Sequence, residues 1–295
     1  MSSPSRPKRC KPSSQLPCDA DLAAELARKI LLMQLRAMKL NAARATRFGS
    51  VRAIHDLRVS IRRFRTALRV LSDVLPVTRA KRLRRRLQLL NRRLGPVRDA
   101  QVWLGLLKRS VRGRKVPLSS DWDLCIRRAE ASCESRVRAL ARILAQAPFR
   151  EAQEFCAGHW PGEPCGQGAG RFLARKLCRA TVHIVHEGEL PALKTDEEVH
   201  ALRRRCRRAR YLAEFSGPLL GWQVRKLAHR LKRVADALGD WHDAIIQGGL
   251  IATMKKPPDE LRTLVARRHQ GARQDFRKAW RRLTAPRIEK HLRFK

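Results

Sequence analysis

Apolar residues recur at spacings of three and four along almost the whole chain, and the alternating pattern typical of strands is scarce. This periodicity predicts an all-α protein. Pro and Gly residues lie at most of the breaks in the pattern, where we expect the helices to end. The predicted helices cover residues 20–47, 51–75, 78–94, 97–112, 119–147, 168–187, 196–216, 220–238, 241–254 and 257–284.

Two segments lack helical periodicity. Residues 1–18 are basic and rich in Ser and Pro without the apolar stretch of a secretory signal, so we predict a flexible basic tail. Residues 158–168, GHWPGEPCGQG, are dominated by Gly and Pro and are interpreted as a linker. The sequence therefore predicts two helical halves, at 19–157 and 169–295.

The two halves resemble each other. VRAIHDLRVSIRRFR aligns with EEVHALRRRCRRAR at a constant offset of 145 residues, which pairs His55 with His200 and four arginines with four arginines. LGPVRD (94–99) aligns with LGDWHD (238–243) at an offset of 144, and LARK (26–29) with LARK (173–176) at 147. We interpret the repetition as an internal duplication, each copy being a bundle of about four helices.

The aligned histidines and arginines share one side of each helix. At about 100° per residue they fall within a stripe roughly 80° wide, next to the apolar face that begins with Ile54 and Leu57. We call these two stripes the basic stripes and expect both to face one shared cavity. The first comprises His55, Arg58, Arg62, Arg65 and Arg69, and the second His200, Arg203, Arg207 and Arg210, with Glu214 in the place of Arg69. Arg63 and Arg208 match between the copies but point away from the stripes.

Charge indicates the kind of partner. The chain has 66 Lys and Arg against 26 Asp and Glu, a net charge of +40, and 50 of the 66 cations are arginines. A face selected for solubility mixes both signs, whereas the first basic stripe contains no carboxylate. Because guanidinium groups donate paired hydrogen bonds to phosphate oxygens, the composition favours a phosphate-rich polyanion as ligand. His55 and His200 either contact such a ligand or hydrogen-bond neighbouring helices.

Together, HDLRVSIRRFR, HALRRRCRRARYLAE and the LGxxxD motif that follows each resemble the conserved histidine alpha-helical domain (CHAD) family from about residue 20 to 285. The resemblance implies two pseudo-symmetric four-helix bundles around a basic central pore or groove that binds inorganic polyphosphate without catalysis. It further implies that the two histidines and the arginines of the basic stripes contact the polymer. Family members are often fused to or encoded beside a CYTH-type phosphohydrolase, so a polyphosphate-metabolising enzyme in trans is an expected partner.

The remaining motifs allow a structural interpretation. Leu-Gly in LGPVRD and LGDWHD is typical of a helix C-terminus, with Asp99 and Asp243 near the start of the next helix. The acidic run TDEEVH (195–200) is interpreted as a helix N-terminus. A second set of cations extends the ligand surface or forms solvated faces: Arg85, Arg92, Lys226, Arg230 and Arg233.

Several other functions have little support. The eight cysteines are scattered without a CxxC pair, and there is no GxxxxGK(S/T) or HExxH motif, so no metal, cofactor or catalytic residue is expected. No apolar run reaches the roughly 18 residues of a membrane span, and no membrane partner is expected. We expect a cytoplasmic location, associated with polyphosphate granules.

Nucleic acid is the alternative ligand. A protein of charge +40 will bind DNA or RNA non-specifically at low salt. Aromatic residues make up only 5% of the chain, however, and none alternate with the arginines to stack on bases. These features count against nucleic acid as the primary ligand, and the family resemblance implies polyphosphate instead.

Overall fold

The computed structural model describes residues 19–112, 120–158, 160, 168–185, 193, 195–255 and 257–284. Within these ranges every regular element is helical, which confirms the predicted all-α fold. The predicted tail at 1–18 and most of the predicted linker lie outside them. The helices are α1 Asp19–Phe48, α2 Val51–Val70, α3 Val77–Val111, α4 Ser120–Arg138, α5 Leu140–Ala145, α6 Phe149–Ala157, α7 Ala169–Val185, α8 Asp196–Leu220, α9 Trp222–Ala252 and α10 Asp259–Thr284, with a 3-10 turn at Ser72–Val74.

Two predicted helix breaks are wrong. Helix α3 continues through Gly95 and Pro96, and α9 continues through Gly239, so the predicted pairs 78–94/97–112 and 220–238/241–254 are each one helix. The apolar stripe is unbroken at both places, since Leu94 and Leu238 are fully buried. Packing along these stripes outweighs the local preference of Gly and Pro to end a helix.

Other boundaries differ less. The predicted helix 119–147 is divided into α4 and α5, and α6 was not predicted. Helix α8 extends past residue 216 through Pro218 to Leu220, where Gly221 with a φ of 87° ends it. Residues 186–187 of the predicted helix 168–187 lie outside the described ranges.

The two helices that carry the basic stripes begin in the same way. The Ser50 side chain accepts a hydrogen bond from the Ala53 amide at 3.2 Å, at the start of α2. At the start of α8, Thr195 Oγ1 accepts from the Glu198 amide at 3.2 Å and Glu198 Oε2 accepts from the Thr195 amide at 3.0 Å. This capping box confirms the predicted N-terminus in TDEEVH. Each cap precedes its histidine by five residues and so places both stripes at the same height on their helices.

Both halves contribute to one hydrophobic core. The predicted apolar face of α2 is buried throughout, and it packs in the same cluster as Cys206 and Leu212 of α8 and Trp280 of α10. A smaller cluster joins the C-terminal part of α3 to α4, α10 and the end of α9. Because α2 also contacts α8, the two basic stripes lie on adjacent helices in the middle of the molecule.

Candidate functional site

A cavity of about 880 Å³ lies between α2, α3, α8 and α9. Among the residues that the structure describes, twelve arginines, three histidines and two aspartates line it. The arginines are Arg58, Arg62, Arg65, Arg69, Arg84, Arg92, Arg98, Arg203, Arg204, Arg205, Arg207 and Arg208, the histidines His55, His200 and His242, and the aspartates Asp99 and Asp243. We call this space the basic cavity.

The structure brings most of the predicted site residues together in the basic cavity. All five members of the first basic stripe line it, as do three of the four members of the second. Arg92, from the second set of cations, lines it too. These nine are His55, Arg58, Arg62, Arg65, Arg69, His200, Arg203, Arg207 and Arg92.

Five predicted residues are not in the cavity wall. Arg210 instead pairs with Glu214, at 2.7 Å from Nε to Oε1, and faces Asp236 at 3.7 Å. Arg85 is exposed on α3 outside the cavity. The other three, Lys226, Arg230 and Arg233, line a separate groove on α9 beside Arg282 of α10. Their positions on α9 are about 120° around the helix from the cavity-lining residues.

Sequence reasoning missed several cavity residues. Arg84, Arg98 and His242 lie on α3 and α9, whose stripes were divided by the incorrectly predicted breaks. Arg204 and Arg205 flank the predicted stripe on α8. Arg208, which a helical wheel placed away from the stripe, also lines the cavity, because a long arginine side chain spans a wide arc around its helix.

The LGxxxD motifs have a role other than ending helices. Gly95 and Gly239 lie inside α3 and α9, directly under two cavity arginines. A Cβ at Gly95 would lie 3.4 Å from Arg58 Nη1, and one at Gly239 would lie 3.2 Å from Arg203 Nη2. Arg58 also donates from Nη1 to the Asn91 carbonyl at 2.7 Å. The missing side chains therefore let equivalent arginines lie flat on the neighbouring helix in both halves.

The crowded guanidinium groups disfavour one another's charge. Burial, followed by repulsion from Arg203 and Arg62, lowers the pKa of Arg207 to about 9. Burial and neighbouring arginines likewise lower the pKa values of Arg58 and Arg65 to about 10. All three still carry a proton at neutral pH, so the cavity keeps a concentrated positive charge.

Some of this donor capacity is unused. The Nε atoms of Arg62, Arg65 and Arg203 are buried and have no hydrogen-bond partner within the described ranges. Arg65 does donate from Nη2 to Gln88 Oε1 at 3.0 Å, which orients its fork. Buried donors without partners are costly, and a site that retains several of them is prepared for acceptors supplied by a ligand.

The pKa values of the three cavity histidines are lowered, which favours the neutral rings. Burial and then the proximity of the His242 ring lower the pKa of His200 to about 4, and the two ring centroids are 5.0 Å apart. Burial and then Arg203 lower the pKa of His242, and burial and then Arg98 lower that of His55. An anion in the cavity would offset the effect of the arginines on the histidine pKa values and would favour protonation of the rings.

The described side chains indicate neither a metal site of the usual kind nor a membrane span. Within the described ranges, His, Cys, Asp and Glu form no group of three or more that could hold a metal ion. Among the helices described, none is both long enough and apolar enough to cross a membrane.

Comparison with known proteins identifies the family. A model of the CHAD domain matches residues 29–252, about three quarters of the chain. The chain belongs to the CHAD domain family. The basic cavity lies entirely within the matched region of this CHAD domain. No curated protein sequence matches the chain.

Two solved structures are similar to this CHAD protein. PptA from Streptomyces chartreusis has 20% sequence identity and a TM-score of 0.65, over 88% of this chain and 99% of that one. The CHAD domain from the plant Ricinus communis has 20% identity and a TM-score of 0.59, over 98% of this chain and 95% of that one. At this identity the similarity establishes the fold, and the function has to be argued from the cavity.

Proposed function

We propose that this CHAD protein binds inorganic polyphosphate in the basic cavity and does not act as an enzyme. The observation that carries the proposal is the convergence of twelve arginines on one cavity that holds only two aspartates. Such a concentration of cations is destabilising unless an anion of similar charge density occupies it. A phosphate chain carries charged oxygens along its whole length and fits the paired donors of guanidinium groups.

Cavity size and lining favour polyphosphate over nucleic acid. A cavity of about 880 Å³ admits a thin chain. A DNA double helix, whose grooves alone are about 12 Å and 6 Å wide, would have to bind elsewhere on the surface. The aromatic residues in the wall, Trp103 and Tyr211, are both at least nine-tenths buried and offer little ring surface to bases.

The proposal extends to the cellular role. A non-catalytic polyphosphate module would bring the protein to polyphosphate granules, or hold the polymer for a polyphosphate-metabolising enzyme acting in trans. Neither role needs a bound cofactor, because polyphosphate binding alone is sufficient for both.

Competition between ligands tests the proposed function. We expect unlabelled long-chain polyphosphate to displace a fluorescent polyphosphate probe completely at about 150 mM salt, and duplex DNA not to displace it, because diffuse charge attraction is weakened by salt. Both competitors would be titrated against this one probe. Equal displacement by DNA at equal phosphate concentration would favour the alternative of a non-specific nucleic-acid-binding protein.

Substituting Gly239 should separate binding from stability. We expect Gly239→Ala to raise the free energy of unfolding by roughly 0.5–1 kcal/mol, because Ala favours the helix interior. The new methyl group would displace the Arg203 guanidinium and weaken polyphosphate binding by about threefold or more. Gly271→Ala is the control, since a Cβ there has no neighbour within 4 Å. Equal affinities for the two variants would contradict the proposed role of Gly239.

The histidines should make binding depend on pH. Because their pKa values are lowered in the free protein, an unfolded chain binds more protons below about pH 6.5, and stability without ligand should fall as the pH falls from there. A bound polyanion favours the protonated rings. The affinity for polyphosphate should therefore rise as the pH falls from about 8 to about 5.5.

A triple variant isolates this effect. We expect His55→Gln, His200→Gln and His242→Gln together to reduce the pH dependence of affinity, measured by calorimetry at constant salt. His229→Gln, on the separate α9 groove, should not change it. If the triple variant kept the pH dependence of the parent, the histidines would have only a structural role.

A further inference from the structure

The wall of the basic cavity contains two carboxylates. Asp99 of α3 and Asp243 of α9 are the carboxylates of the two LGxxxD motifs, and both line the cavity. Within the described ranges neither forms a hydrogen bond or a close ion pair, although Arg58 and Arg98 lie near enough to influence Asp99. Burial raises the pKa of Asp99, and the charge of Asp243 raises it further against the opposing effect of Arg58. Arg98 and Arg203 likewise lie near Asp243 without forming a close ion pair with it, so both carboxylates keep oxygen atoms available to a ligand.

A neutral oxygen donor lies beside them. Gln247 follows Asp243 by four residues on α9, so it lies one turn along the same helix face. Its side chain lines the cavity and is only 3% exposed, yet neither the amide oxygen nor the amide nitrogen has a hydrogen-bond partner in the described part of the chain. Burying an unpaired amide is unfavourable, which indicates that a ligand of the cavity completes its contacts.

The donor set suits a hard divalent cation. Carboxylate and amide oxygens are the ligands that Ca²⁺ and Mg²⁺ prefer, and Mg²⁺ in particular is commonly bound by one or two carboxylates plus the phosphates of a ligand. The two carboxylates are too few to hold a metal ion by themselves, and the surrounding arginines repel a free cation. A cation already bound to a phosphate chain meets neither obstacle.

We propose that Asp99, Asp243 and Gln247 bind a divalent cation of the Mg²⁺ or Ca²⁺ class that enters the basic cavity together with the phosphate chain. The proposal rests on the proposed function and adds a second component to the ligand. The cation bridges the carboxylates to phosphate oxygens, while the arginines bind the remaining oxygens. Without the cation, the same carboxylates repel the chain.

The two carboxylates should therefore weaken polyphosphate binding without the cation and strengthen it with the cation, and this difference provides the test. In a chelator, the double variant Asp99→Asn, Asp243→Asn should bind long-chain polyphosphate more tightly than the parent, by about fivefold, because two repelling charges are removed. With millimolar Mg²⁺ the order should reverse and the parent should bind more tightly. Gln247→Leu should reduce the gain in affinity that the parent shows on adding Mg²⁺. Asp259→Asn with Asp275→Asn, two exposed carboxylates of α10, is the charge-matched control and should show no reversal.

A luminescent lanthanide locates the cation. Trp103 follows Asp99 by four residues on α3 and lines the same cavity, so its excitation should sensitise a Tb³⁺ ion bound beside Asp99. We expect Tb³⁺ emission only when protein and polyphosphate are both present. Trp103→Phe and the Asp99/Asp243 double variant should each abolish it.

The outcomes distinguish the two proposals. Absence of polyphosphate binding by the parent at any Mg²⁺ concentration would refute the proposed function itself. Polyphosphate binding with the same Mg²⁺ dependence in the parent and in the double variant, or Tb³⁺ emission that persists without the carboxylates or without Trp103, would refute only the cation site.

Discussion

Replacing Arg58, Arg62, Arg203 and Arg207 together with Ala should reduce the affinity for long-chain polyphosphate by at least about 100-fold at about 150 mM salt. These four arginines come from both basic stripes, and Arg62 and Arg203 lie close enough to contribute to the lowered pKa values of Arg58 and Arg207. For a flexible polyanion, the slope of log affinity against log salt should decrease by roughly 0.7 per lost phosphate contact, or about three in total. Calorimetry at several salt concentrations measures both quantities.

A second quadruple variant, which loses the same number of positive charges outside the cavity, distinguishes binding at the site from an effect of net charge. Arg267, Arg277, Lys278 and Arg281 are exposed on α10 and do not line the basic cavity. Changing these four to Ala should leave most of the affinity intact, because charge effects beyond about 8 Å are screened at this salt concentration. Equal losses in the two quadruple variants would mean that only net charge matters and that the basic cavity is not the binding site.

The cavity variant should also fold at least as well as the parent. Burial and mutual repulsion lower the pKa values of Arg58, Arg203 and Arg207, so their charges oppose folding in the absence of ligand. Ala also favours the helix more than Arg does. A variant that unfolds at a higher denaturant concentration but binds weakly would show that the arginines are retained at the expense of stability.

The fold was largely predictable because the apolar periodicity is strong. The apolar face of α2, from Ile54 to Leu68, is buried as predicted, and the caps at Ser50 and Thr195 begin helices α2 and α8. The two predicted breaks inside α3 and α9 were wrong because Gly and Pro lie inside these long helices. There the burial of Leu94 and Leu238 decides the outcome, and burial depends on tertiary packing that a local pattern does not record.

That error hid part of the candidate site. Six of the nine cavity-lining positions described on α3 follow one another at steps of four and three, and this stripe is complete only if the helix continues through Pro96. The six are Arg84, Gln88, Asn91, Gly95, Arg98 and Val102. If the spacing of the polar residues had been followed past Leu94 and Gly95 before a helix end was predicted there, Arg84 and Arg98 would have been found. The fate of Arg210 was less predictable, because it depends on carboxylates that only the folded chain places around it.

Glu214 should be the carboxylate whose loss most destabilises the protein. It pairs with Arg63 of α2 from the other half and with Arg210 on its own helix, and all three side chains are less than 30% exposed. Arg63 also donates to Gln34 Oε1 at 2.9 Å and lies over the rings of Tyr211 and Phe215. We expect Glu214→Gln to lower the free energy of unfolding by about 2–4 kcal/mol, since it removes the carboxylate that pairs with Arg63 and leaves Arg210 with Asp236 alone, at 3.7 Å.

An exposed pair provides the control. Glu154 accepts from Arg150 at 3.0 Å on the surface of α6, and Glu154→Gln should cost less than about 0.5 kcal/mol in the same denaturant titration. Replacing both Arg63 and Glu214 with Met should recover part of the loss, because the uncompensated charge of Arg63 is removed and Met packs against the same aromatic rings. If Glu214→Gln and Glu154→Gln had equal effects, the contact between α2 and α8 would not depend on this carboxylate. The packing of their apolar faces would then hold the two basic stripes together.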